Sequence, residues 1–337
     1  MAELLNNTWY MAAWSEEIST TPLSRRMLGM GTVLYRKADG SVAMLQDRCP
    51  HRFAPLSKGK VEGDCIQCPY HGLTFDAGGQ CVSAPLQEAP PRVARIRSFP
   101  TVVRDNIVWF WPGDPQAIDA SLIPDFSFLN DPALKHVFGM TRVKAHYELE
   151  TDNLMDLSHV VFLHPPFAGV LSKSSTYAAT REGDMVRSHW FSRNAPNPAA
   201  LEYGPFPTHG APIDQWLEMR WNAPGAMLLE VAVTRTGEPR EAGYSMPGVH
   251  ILTPESDDAT LYFWSGSLQV EDPVPMDVFH ESFVRAFERE DRPMIEAVAE
   301  QMGGETDLLA MKPLLLRSDA GAVLARRVLA EMIAREK

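Results

Sequence analysis

The stretch that decides the fold is CPHRFAPLSKGKVEGDCIQCPYHG, residues 49 to 72, which carries two short arms of metal-ligand residues. The first arm holds Cys49 and His51, and the second holds Cys68 and His71. Sixteen residues separate the two arms, and each arm offers one sulfur and one nitrogen. Zinc fingers usually present their cysteines as one pair and their histidines as another. The mixed arms therefore favour a centre that needs one donor of each kind from each side.

A Rieske [2Fe–2S] cluster has this requirement, because two cysteines hold one of its irons and two histidines hold the other. The spacing C-x-H-x16-C-x2-H predicts such a cluster, and a structural zinc site remains the alternative. Imidazole in place of thiolate lowers the negative charge of the cluster and raises its potential. Cys65 and Cys81 receive no ligand role, and we expect both to be small buried residues.

The composition excludes several classes of protein. The chain has 337 residues, of which 45% are hydrophobic and 22% are charged, a length sufficient for two domains. The formal net charge of −12 provides no basic excess to neutralise phosphates, which argues against a nucleic-acid partner. No apolar run has the length of a membrane span, and the N-terminal stretch lacks the basic region of a signal peptide. We therefore expect a cytoplasmic protein with neither a membrane nor a nucleic-acid partner.

The order of β-type and helical patterns predicts two domains of an α+β protein. Two β-type runs flank Asp39-Gly40, a strong hairpin signal, and residues 1–115 read as a small all-β domain. A proline-containing connector at residues 111–126 leads into a second domain over residues 116–337. In that domain β-type runs occur at 226–234, 249–252 and 260–264, and helical patterns at 148–163, 276–301 and 319–335. These runs predict one long twisted sheet with helices.

The predicted helix 148–163 carries the second set of candidate ligands. From Leu154 onward it is apolar on nearly every side, as a buried helix is, so Asn153, Asp156 and His159 are expected to be buried and to need partners. His164 precedes two prolines, which disfavour helical geometry at that residue and let it turn toward His159. Two histidines suggest the 2-His-1-carboxylate triad of oxygen-activating iron enzymes. Two satisfied core histidines are the alternative.

The third ligand of such a triad is expected from the segment FVRAFEREDRPMIEAVAEQM, residues 283–302. Asp291 falls on its apolar stripe, and an acid at a core-facing position needs a cation. Glu288 and Glu290 are interpreted as a solvated face, and the same interpretation stays open for Asp291. The apolar stripe consists of Val284, Phe287, Met294, Ile295 and Val298.

The chain resembles the Rieske non-haem iron oxygenases, and within them the branch that includes vanillate and dicamba O-demethylases. The resemblance covers nearly the whole length and rests on NTWYMAAW, CPHRFAPLS, CPYHGL, NLMDLSH and HILTPES. It implies a Rieske domain followed by a helix-grip (START-like) catalytic domain with a twisted antiparallel sheet. It also implies a homotrimer in which the cluster of one subunit supplies the iron of the next.

The resemblance assigns roles to individual residues. It implies that Asp156 bridges two subunits by accepting hydrogen bonds from His71 of one chain and His159 of the other, and that Asn153 lies beside the iron. Pro293 departs from the family pattern and puts the local geometry of the third ligand in doubt. The resemblance gives the cluster to Cys49, His51, Cys68 and His71, and the mononuclear iron to His159, His164 and Asp291.

The predicted function is that of the oxygenase component of a two-component monooxygenase. It would use O2, with electrons from NAD(P)H through a flavin and iron–sulfur reductase, to O-demethylate a methoxylated aromatic acid and release formaldehyde. His250 and Asn222 lie at positions resembling substrate contacts of dicamba-type enzymes. Apolar walls are expected from Trp216, Trp221 and Trp264.

Three alternatives remain open at the level of sequence. The first is a Rieske oxygenase with another outcome, namely N-demethylation, methyl hydroxylation or ring hydroxylation. The second is an electron carrier whose second domain only binds a partner. The third is a zinc-stabilised binding protein.

Overall fold

The computed structural model describes residues 3–167 and 170–337, which divide into two compact units. The first comprises Asn6–Ile123 together with Thr253–Ser256, and the second comprises residues 3–5, Pro124–Leu252 and Asp257–Lys337. Among the described residues no helix combines the length and the apolar character of a membrane span. The N-terminal unit is built from β-strands and the C-terminal unit combines one large sheet with helices, as the sequence predicts.

The N-terminal unit contains three small sheets, with strand orders β1-β11-β10, β2-β3-β4-β9 and β5-β6-β7-β8. The predicted hairpin at Asp39-Gly40 is confirmed, because it joins β3 to β4 and Gly40 has the positive φ of 84° that glycine accommodates. The strands are β1 (Tyr10–Trp14), β2 (Leu23–Met27), β3 (Met30–Arg36), β4 (Val42–Gln46), β5 (Lys60–Glu62), β6 (Cys65–Gln67), β7 (Thr74–Phe75), β8 (Cys81–Ser83), β9 (Ser98–Phe99), β10 (Thr101–Arg104) and β11 (Ile107–Phe110).

The C-terminal unit is a seven-stranded sheet with helices packed against it. Its strand order is β12-β18-β17-β16-β15-β14-β13, and neighbouring strands run antiparallel. The strands are β12 (Leu134–Val143), β13 (Thr176–Glu182), β14 (Met185–Ala195), β15 (Ile213–Asn222), β16 (Ala226–Arg235), β17 (Tyr244–Ser256) and β18 (Ala259–Gln269). The helices are α1 (Tyr147–Met155), α2 (Val160–Leu163), α3 (Ala199–Glu202), α4 (Met276–Phe283), α5 (Arg292–Gln301) and α6 (Ala320–Arg335).

The predicted single helix 148–163 is wrong, because the chain breaks at Asp156. That residue has extended backbone angles (φ −114°, ψ 90°), and its carboxylate accepts a hydrogen bond from the Ser158 N–H at 2.9 Å. It therefore ends α1 and caps a short 3-10 turn at Leu157–His159 that runs into α2. The expectation of a fully buried helix also fails in α2, where Phe162 is 88% exposed.

Pro293 does not break the helix in which it lies. The segment Val284–Asp291 is a π-helix that joins α4 to α5, and the Arg292 N–H donates to the carbonyl of Phe287, five residues back. Pro293 then occupies the first turn of α5, where a missing N–H costs nothing. The wider π turns shift the phase of the helix, so beyond Asp291 the predicted stripe is wrong for Met294 and Val298 and confirmed for Ile295. Ile295 is buried, whereas Met294 and Val298 are exposed.

Candidate metal centres

The two cysteine–histidine arms of the N-terminal unit have the same backbone geometry. In the first arm the Cys49 N–H donates to the carbonyl of Ala54 at 2.9 Å, and the Phe53 N–H donates back to the carbonyl of Cys49 at 2.9 Å. In the second arm Cys68 pairs in the same way with Leu73 at 2.8 Å and with Gly72 at 3.1 Å. The two arms are therefore equivalent loops, and each presents one cysteine and one histidine.

The donors of the two arms separate by type. The side chains of Cys49 and Cys68 are 1% and 2% exposed and belong to the apolar core of this unit. The rings of His51 and His71 are exposed and lie 4.4 Å apart between centroids. Burial raises the pKa of the Cys49 thiol to about 11, and a bound metal would have to take that thiol as thiolate. Paired sulfurs inside and paired imidazoles outside suit a cluster with one cysteine-held and one histidine-held iron.

The other two cysteines do not join these donors. Cys81 is buried, as expected, but Cys65 is only half-buried, which corrects the expectation for that residue. Tyr70 lies beside the histidines, because its exposed ring is 4.0 Å from the ring of His71 between centroids. The four residues of the two arms therefore remain the candidate ligands of this centre.

The second centre brings His159, His164 and Asp291 together in the C-terminal unit. One ligand atom from each of the three residues lies within 4.8 Å of the other two. Asp291 Oδ1 is 3.6 Å from His159 Nε2 and 3.4 Å from His164 Nε2. Ligands about 2.1 Å from one ion lie about 3.0 to 3.6 Å apart when the angle between them is 90° to 120°. The spacing around Asp291 therefore fits a single metal ion.

The hydrogen bonds of both histidines use Nδ1 and leave the lone pair of Nε2 available for a metal. The Nδ1 of His159 lies 2.8 Å from the backbone carbonyl of Asp156, which can only accept, so Nδ1 carries the proton. The Nδ1 of His164 lies 2.8 Å from Glu290 Oε2 in the same relation. Two Nε2 lone pairs then face the Asp291 carboxylate, whose buried Oδ1 has no hydrogen-bond partner among the described residues. A cation relieves this arrangement, and the donor set is that of non-haem iron.

The local chain explains why these side chains meet. His164 has non-helical angles (φ −112°, ψ 89°) and ends α2 immediately before Pro165, as predicted from the prolines. The π-helical segment ends at Asp291, which is 2% exposed. Helical bulges of this kind are frequent at functional sites.

The electrostatic environment differs between the two histidines. Burial lowers the pKa of His159. Although burial opposes the charge of His164 as well, its contacts with Asp291 and Glu290 raise the pKa of His164. The carboxylates of Asp291 and Glu290 therefore stabilise positive charge beside His164 more than beside His159. A bound iron ion would provide such a charge in place of a proton.

Two predicted roles change in the structure. His159 bonds the backbone carbonyl of Asp156 and not its carboxylate, which instead caps Ser158, so the carboxylate contact implied for His159 is corrected. Glu290 is not part of a solvated face, because it holds His164. Sequence reasoning missed this role, although an acid next to a core-facing acid on a helix was a signal that one of them has a partner.

The predicted substrate residues lie on opposite faces of the sheet. His250 is directly opposite Met227, which is opposite Trp221, so these three side chains share the face that packs into the main core. Asn222 follows Trp221 and points the other way, as does Trp216 by the same alternation. The structure therefore keeps His250 and Trp221 together and separates Asn222 and Trp216 from them.

An aromatic cluster surrounds His250. The ring of Phe287 lies 5.5 Å from His250, 5.3 Å from Tyr262 and 5.6 Å from Trp264 between centroids. The Trp264 ring covers Gly139, where a Cβ atom would lie only 2.0 Å from it. Phe287 belongs to the π-helical segment that ends at Asp291. The segment that carries the candidate ligand Asp291 therefore also packs, through Phe287, against the predicted wall residue Trp264.

A cavity of about 620 Å³ opens elsewhere in the C-terminal unit. Lys144, His146, Asp257 and Glu296 are among its lining residues, and none of the three candidate iron ligands is. The metal centre therefore does not lie in this cavity.

Comparison with known proteins gives the family of both units. Residues 8–100 match the Rieske [2Fe–2S] domain, and residues 143–335 match the vanillate O-demethylase oxygenase C-terminal domain. The chain is 39% identical over 326 residues to the oxygenase component of dicamba O-demethylase from Stenotrophomonas maltophilia, covering 96% of each. It is 34% identical over 339 residues to the oxygenase component of chloroacetanilide N-alkylformylase from Rhizorhabdus wittichii, covering 98% of this chain and 96% of that one.

Solved structures agree with this assignment. Dicamba monooxygenase has been solved with 3,6-dichlorosalicylic acid and with non-haem iron and dicamba. These structures are 35% identical to this chain over 99% of both chains, with TM-scores of 0.92 and 0.84. The predicted cofactors, a [2Fe–2S] cluster and a mononuclear iron that uses O2, are those of this family. The chain belongs to the Rieske non-haem iron oxygenases and is a monooxygenase component of the type that includes the dicamba and vanillate O-demethylases.

Proposed function

We propose that this oxygenase O-demethylates a methoxylated aromatic acid of the vanillate type. The single observation that carries the proposal is the triad of His159, His164 and Asp291. Both Nδ1 atoms are hydrogen-bonded, and the buried Asp291 Oδ1 has no partner among the described residues, as expected of a site that binds a cation. The names of the related proteins support the aryl methyl ether as substrate. Iron bound there would supply the activation of O2.

The residues of the chain prepare this site for the reaction. The carbonyl of Asp156 and the carboxylate of Glu290 hold the two imidazoles in the tautomer that binds metal. The aromatic cluster around Phe287 provides an apolar surface for a ring. Asn153, whose Nδ2 is buried and without a partner in the described chain, would lie beside the iron.

The overall reaction balances with two external electrons. One oxygen atom of O2 enters a methyl C–H bond, and the other leaves as water with two protons and two electrons. The product is a hemiacetal, which collapses to a phenol and formaldehyde. The electrons would come from NAD(P)H through a separate flavin and iron–sulfur reductase, and the cluster held by the two arms would pass them on one at a time.

We further propose that the active form is a cytoplasmic homotrimer in which each cluster serves the iron of a neighbouring subunit. The exposed ring of His71 supports this, because an N–H at the surface can reach a partner chain. The carboxylate of Asp156 would receive that N–H. Size measurement in solution tests the trimer, and Asp156→Asn tests the bridge, since it should slow reduction of the iron while leaving the cluster spectrum intact.

Metal analysis of anaerobically purified protein tests both centres. We expect about three irons and two acid-labile sulfides per chain, with little zinc, because the cluster contributes two irons and the triad one. One zinc without sulfide would refute the Rieske assignment of the arms.

Formaldehyde release tests the reaction. With a reductase, NADH and O2, vanillate should yield formaldehyde and the demethylated phenol in equal amounts. His159→Ala should keep the cluster spectrum and its reduction but lose formaldehyde. His136→Ala is the matched control, because His136 lies on β12 and bonds Ser267 instead. A His159→Ala enzyme with full activity would refute the role of the triad.

A second outcome has its own support in the N-alkylformylase relative. N-Demethylation uses the same oxygen insertion into a methyl C–H bond, and a methylated amine substrate in the same assay separates the two reactions.

A further inference from the structure

Phe53, in the first cluster arm, has a backbone conformation that a bulky side chain rarely adopts. Its φ is 61°, which lies in the left-handed region. The equivalent residue of the second arm is Gly72, with φ 75°, where the same conformation carries no steric penalty. Both residues donate their N–H to the carbonyl of the cysteine in their own arm. The loop therefore requires this conformation in both arms, and glycine is the residue that adopts it without strain.

The side chain of Phe53 does not offset this strain by packing into the core. It is 62% exposed, and its ring is covered by Arg48, whose guanidinium carbon lies 4.0 Å from the ring centroid. A cation over an exposed ring contributes only weakly to stability. Residues held in strained backbone conformations cluster at functional sites. The exposed ring therefore points to a role outside the stability of the fold.

A pocket of about 260 Å³ lies beside this ring. Its lining residues are Gln46, Arg48, Pro50, Phe53, Arg95 and Ile96. Both arginines are exposed, and neither forms an ion pair with another residue of the described chain. The pocket therefore combines an exposed aromatic ring with two guanidinium groups that have no acid to neutralise them.

The charge around the first arm is opposite in sign to that of the chain. Residues 46–58 contain three basic side chains and one acidic side chain, whereas the whole chain has a formal net charge of −12. The acidic residue, Asp47, accepts hydrogen bonds from the N–H and the hydroxyl of Ser57 at 2.7 and 2.6 Å. A positive patch steers and orients an acidic partner. Arginines beside an exposed aromatic ring are also the residues that most often anchor a protein interface.

This patch is directly connected to a candidate cluster ligand. Pro50 follows Cys49 in the chain, and the Phe53 N–H donates to the carbonyl of Cys49 at 2.9 Å. Neither His51 nor His71 lines the pocket. In the proposed trimer the His71 N–H reaches the neighbouring subunit, so electrons leave the cluster through the histidines. The pocket beside Phe53 is then available for electrons that enter the cluster.

We propose that Phe53, Arg48 and Arg95 form the docking surface for the protein that reduces the cluster. The partner is the iron–sulfur domain of the reductase, which places acidic side chains against the two arginines and apolar surface against the ring. The proposal rests on the proposed function, in which a separate reductase supplies the electrons. The strain at Phe53 then belongs to a binding surface, because the ring contributes to docking and not to folding.

Reduction of the cluster by a protein donor, without substrate, tests the proposal. A plant-type [2Fe–2S] ferredoxin, reduced beforehand, represents the reductase domain, because it is acidic and its potential lies below that of a Rieske cluster. Its second-order rate constant for reducing the oxidised holoenzyme is measured anaerobically by stopped flow at several salt concentrations. Dithionite, a small reductant that needs no docking surface, reports on the cluster itself. The melting temperature and the size in solution are measured for each variant.

Phe53→Gly should lower the ferredoxin rate constant by roughly tenfold, as loss of an interface anchor does. Phe53→Leu should lower it as well, but the glycine variant should melt at the higher temperature, because only glycine removes the strain. Arg48→Gln should lower the rate constant at low salt and weaken its dependence on salt. Arg104→Gln, the same change of charge at an exposed position of β10, is the control and should react as the native enzyme does. Dithionite should reduce every variant at the native rate.

The outcomes separate this surface from its alternatives. An unchanged ferredoxin rate constant in Phe53→Gly or Arg48→Gln overturns the docking surface. Slower reduction by dithionite, or a glycine variant that melts below the leucine variant, would also overturn it, because the residue would then serve the fold or the cluster. Dissociation into smaller species with an unchanged ferredoxin rate constant would assign the surface to a second copy of the chain. A native enzyme that accepts electrons through this surface but releases no formaldehyde supports the docking surface and overturns the O-demethylase assignment.

Discussion

Glu290 offers the sharpest test of how the iron site is held. Its Oε2 is 2.8 Å from His164 Nδ1 and its Oε1 is 2.8 Å from Arg285 Nε. The Glu290 side chain is 16% exposed and that of His164 is 7% exposed, so water does not readily replace the carboxylate. Arg285 is 51% exposed and loses little when Glu290 is changed. The effect of a substitution should therefore fall on His164.

Glu290→Leu should weaken metal binding at the triad by 10- to 100-fold, as loss of a partner to a metal-bound histidine commonly does. At 1.36 kcal/mol per factor of ten, this is about 1.4 to 2.7 kcal/mol. Glu290→Gln keeps an acceptor oxygen for the His164 N–H but removes the charge, so its effect should lie at the lower end of that range.

Competition with a chelator measures this effect directly. The mononuclear metal is removed, Co(II) is titrated in anaerobically against a coloured chelator, and the cluster absorbance reports the concentration of folded protein. Glu288→Leu is the matched control, because Glu288 is half-buried on the same segment and its Oε1 lies 3.4 Å from the Thr141 hydroxyl. Equal Co(II) affinities of Glu290→Leu and Glu288→Leu would refute the reasoning.

Three further predictions concern stability. Burial and the charge of Asp291 raise the pKa of Glu150 from 4.5 to about 8. The folded state therefore holds a proton that the unfolded state releases, and stability is lost as pH rises from about 4.5 to about 8. The gain in melting temperature of Glu150→Gln over the native protein should be larger at pH 8 than at pH 5, and an equal gain would contradict the shift. Gly72→Ala should lower cluster content, and it should lower stability by about 1 to 2 kcal/mol, because Gly72 has φ 75° and an added Cβ would lie 3.0 Å from Pro85. Gly63→Ala is the control, because Gly63 has a similar φ of 60° but no atom within 4 Å of an added Cβ, so it measures the backbone cost without the contact. Arg326→Met should cost about 3 to 5 kcal/mol in urea unfolding because it leaves two carboxylates without their cation, and a loss no larger than that of an exposed ion pair would contradict this.

The sequence predicts the cluster arms well because their chemistry is local. Cys49 and His51, like Cys68 and His71, are close in sequence, and a proline follows the cysteine of each arm. The chain needs only to bring two short loops together for all four donors to meet. Their equivalent backbone hydrogen bonds show that each loop is specified by its own residues.

The three candidate iron ligands could be predicted from the sequence, but the hydrogen-bond partner that orients His164 could not. His159 and His164 lie on one segment, and the prolines after His164 indicate where it turns. The partner of His164 is Glu290, more than a hundred residues away, and its orientation depends on the π-helical turns before Asp291. An ideal period of 3.6 residues cannot represent those turns, so the stripe placed Glu290 on the solvent side.

The substrate face shows a second limit of sequence reasoning. Trp221 and Asn222 are neighbours in the chain, but alternation along β15 sends them to opposite sides of the sheet. Only the register with β16 and β17 shows that Trp221 shares its side with His250. The resemblance to dicamba-type enzymes did not fix that register at Asn222.

The distribution of satisfied and unsatisfied polar groups explains how one unit can serve both stability and catalysis. Arg326 lies near α1 with two carboxylates bound to it, so the charges on that side of the helix are balanced within the fold. Glu150, which points away from Arg326 on the same helix, and Asp291 of the triad each keep one oxygen atom without a partner among the described residues. Glu148 and Asp152 show that this fold can pair buried acids with a cation. The unpaired oxygen atoms of Glu150 and Asp291 are therefore exceptions, and they destabilise the free protein. Bound iron would give Asp291 Oδ1 the partner that it lacks, so part of that free energy would return as stability of the metal-bound protein.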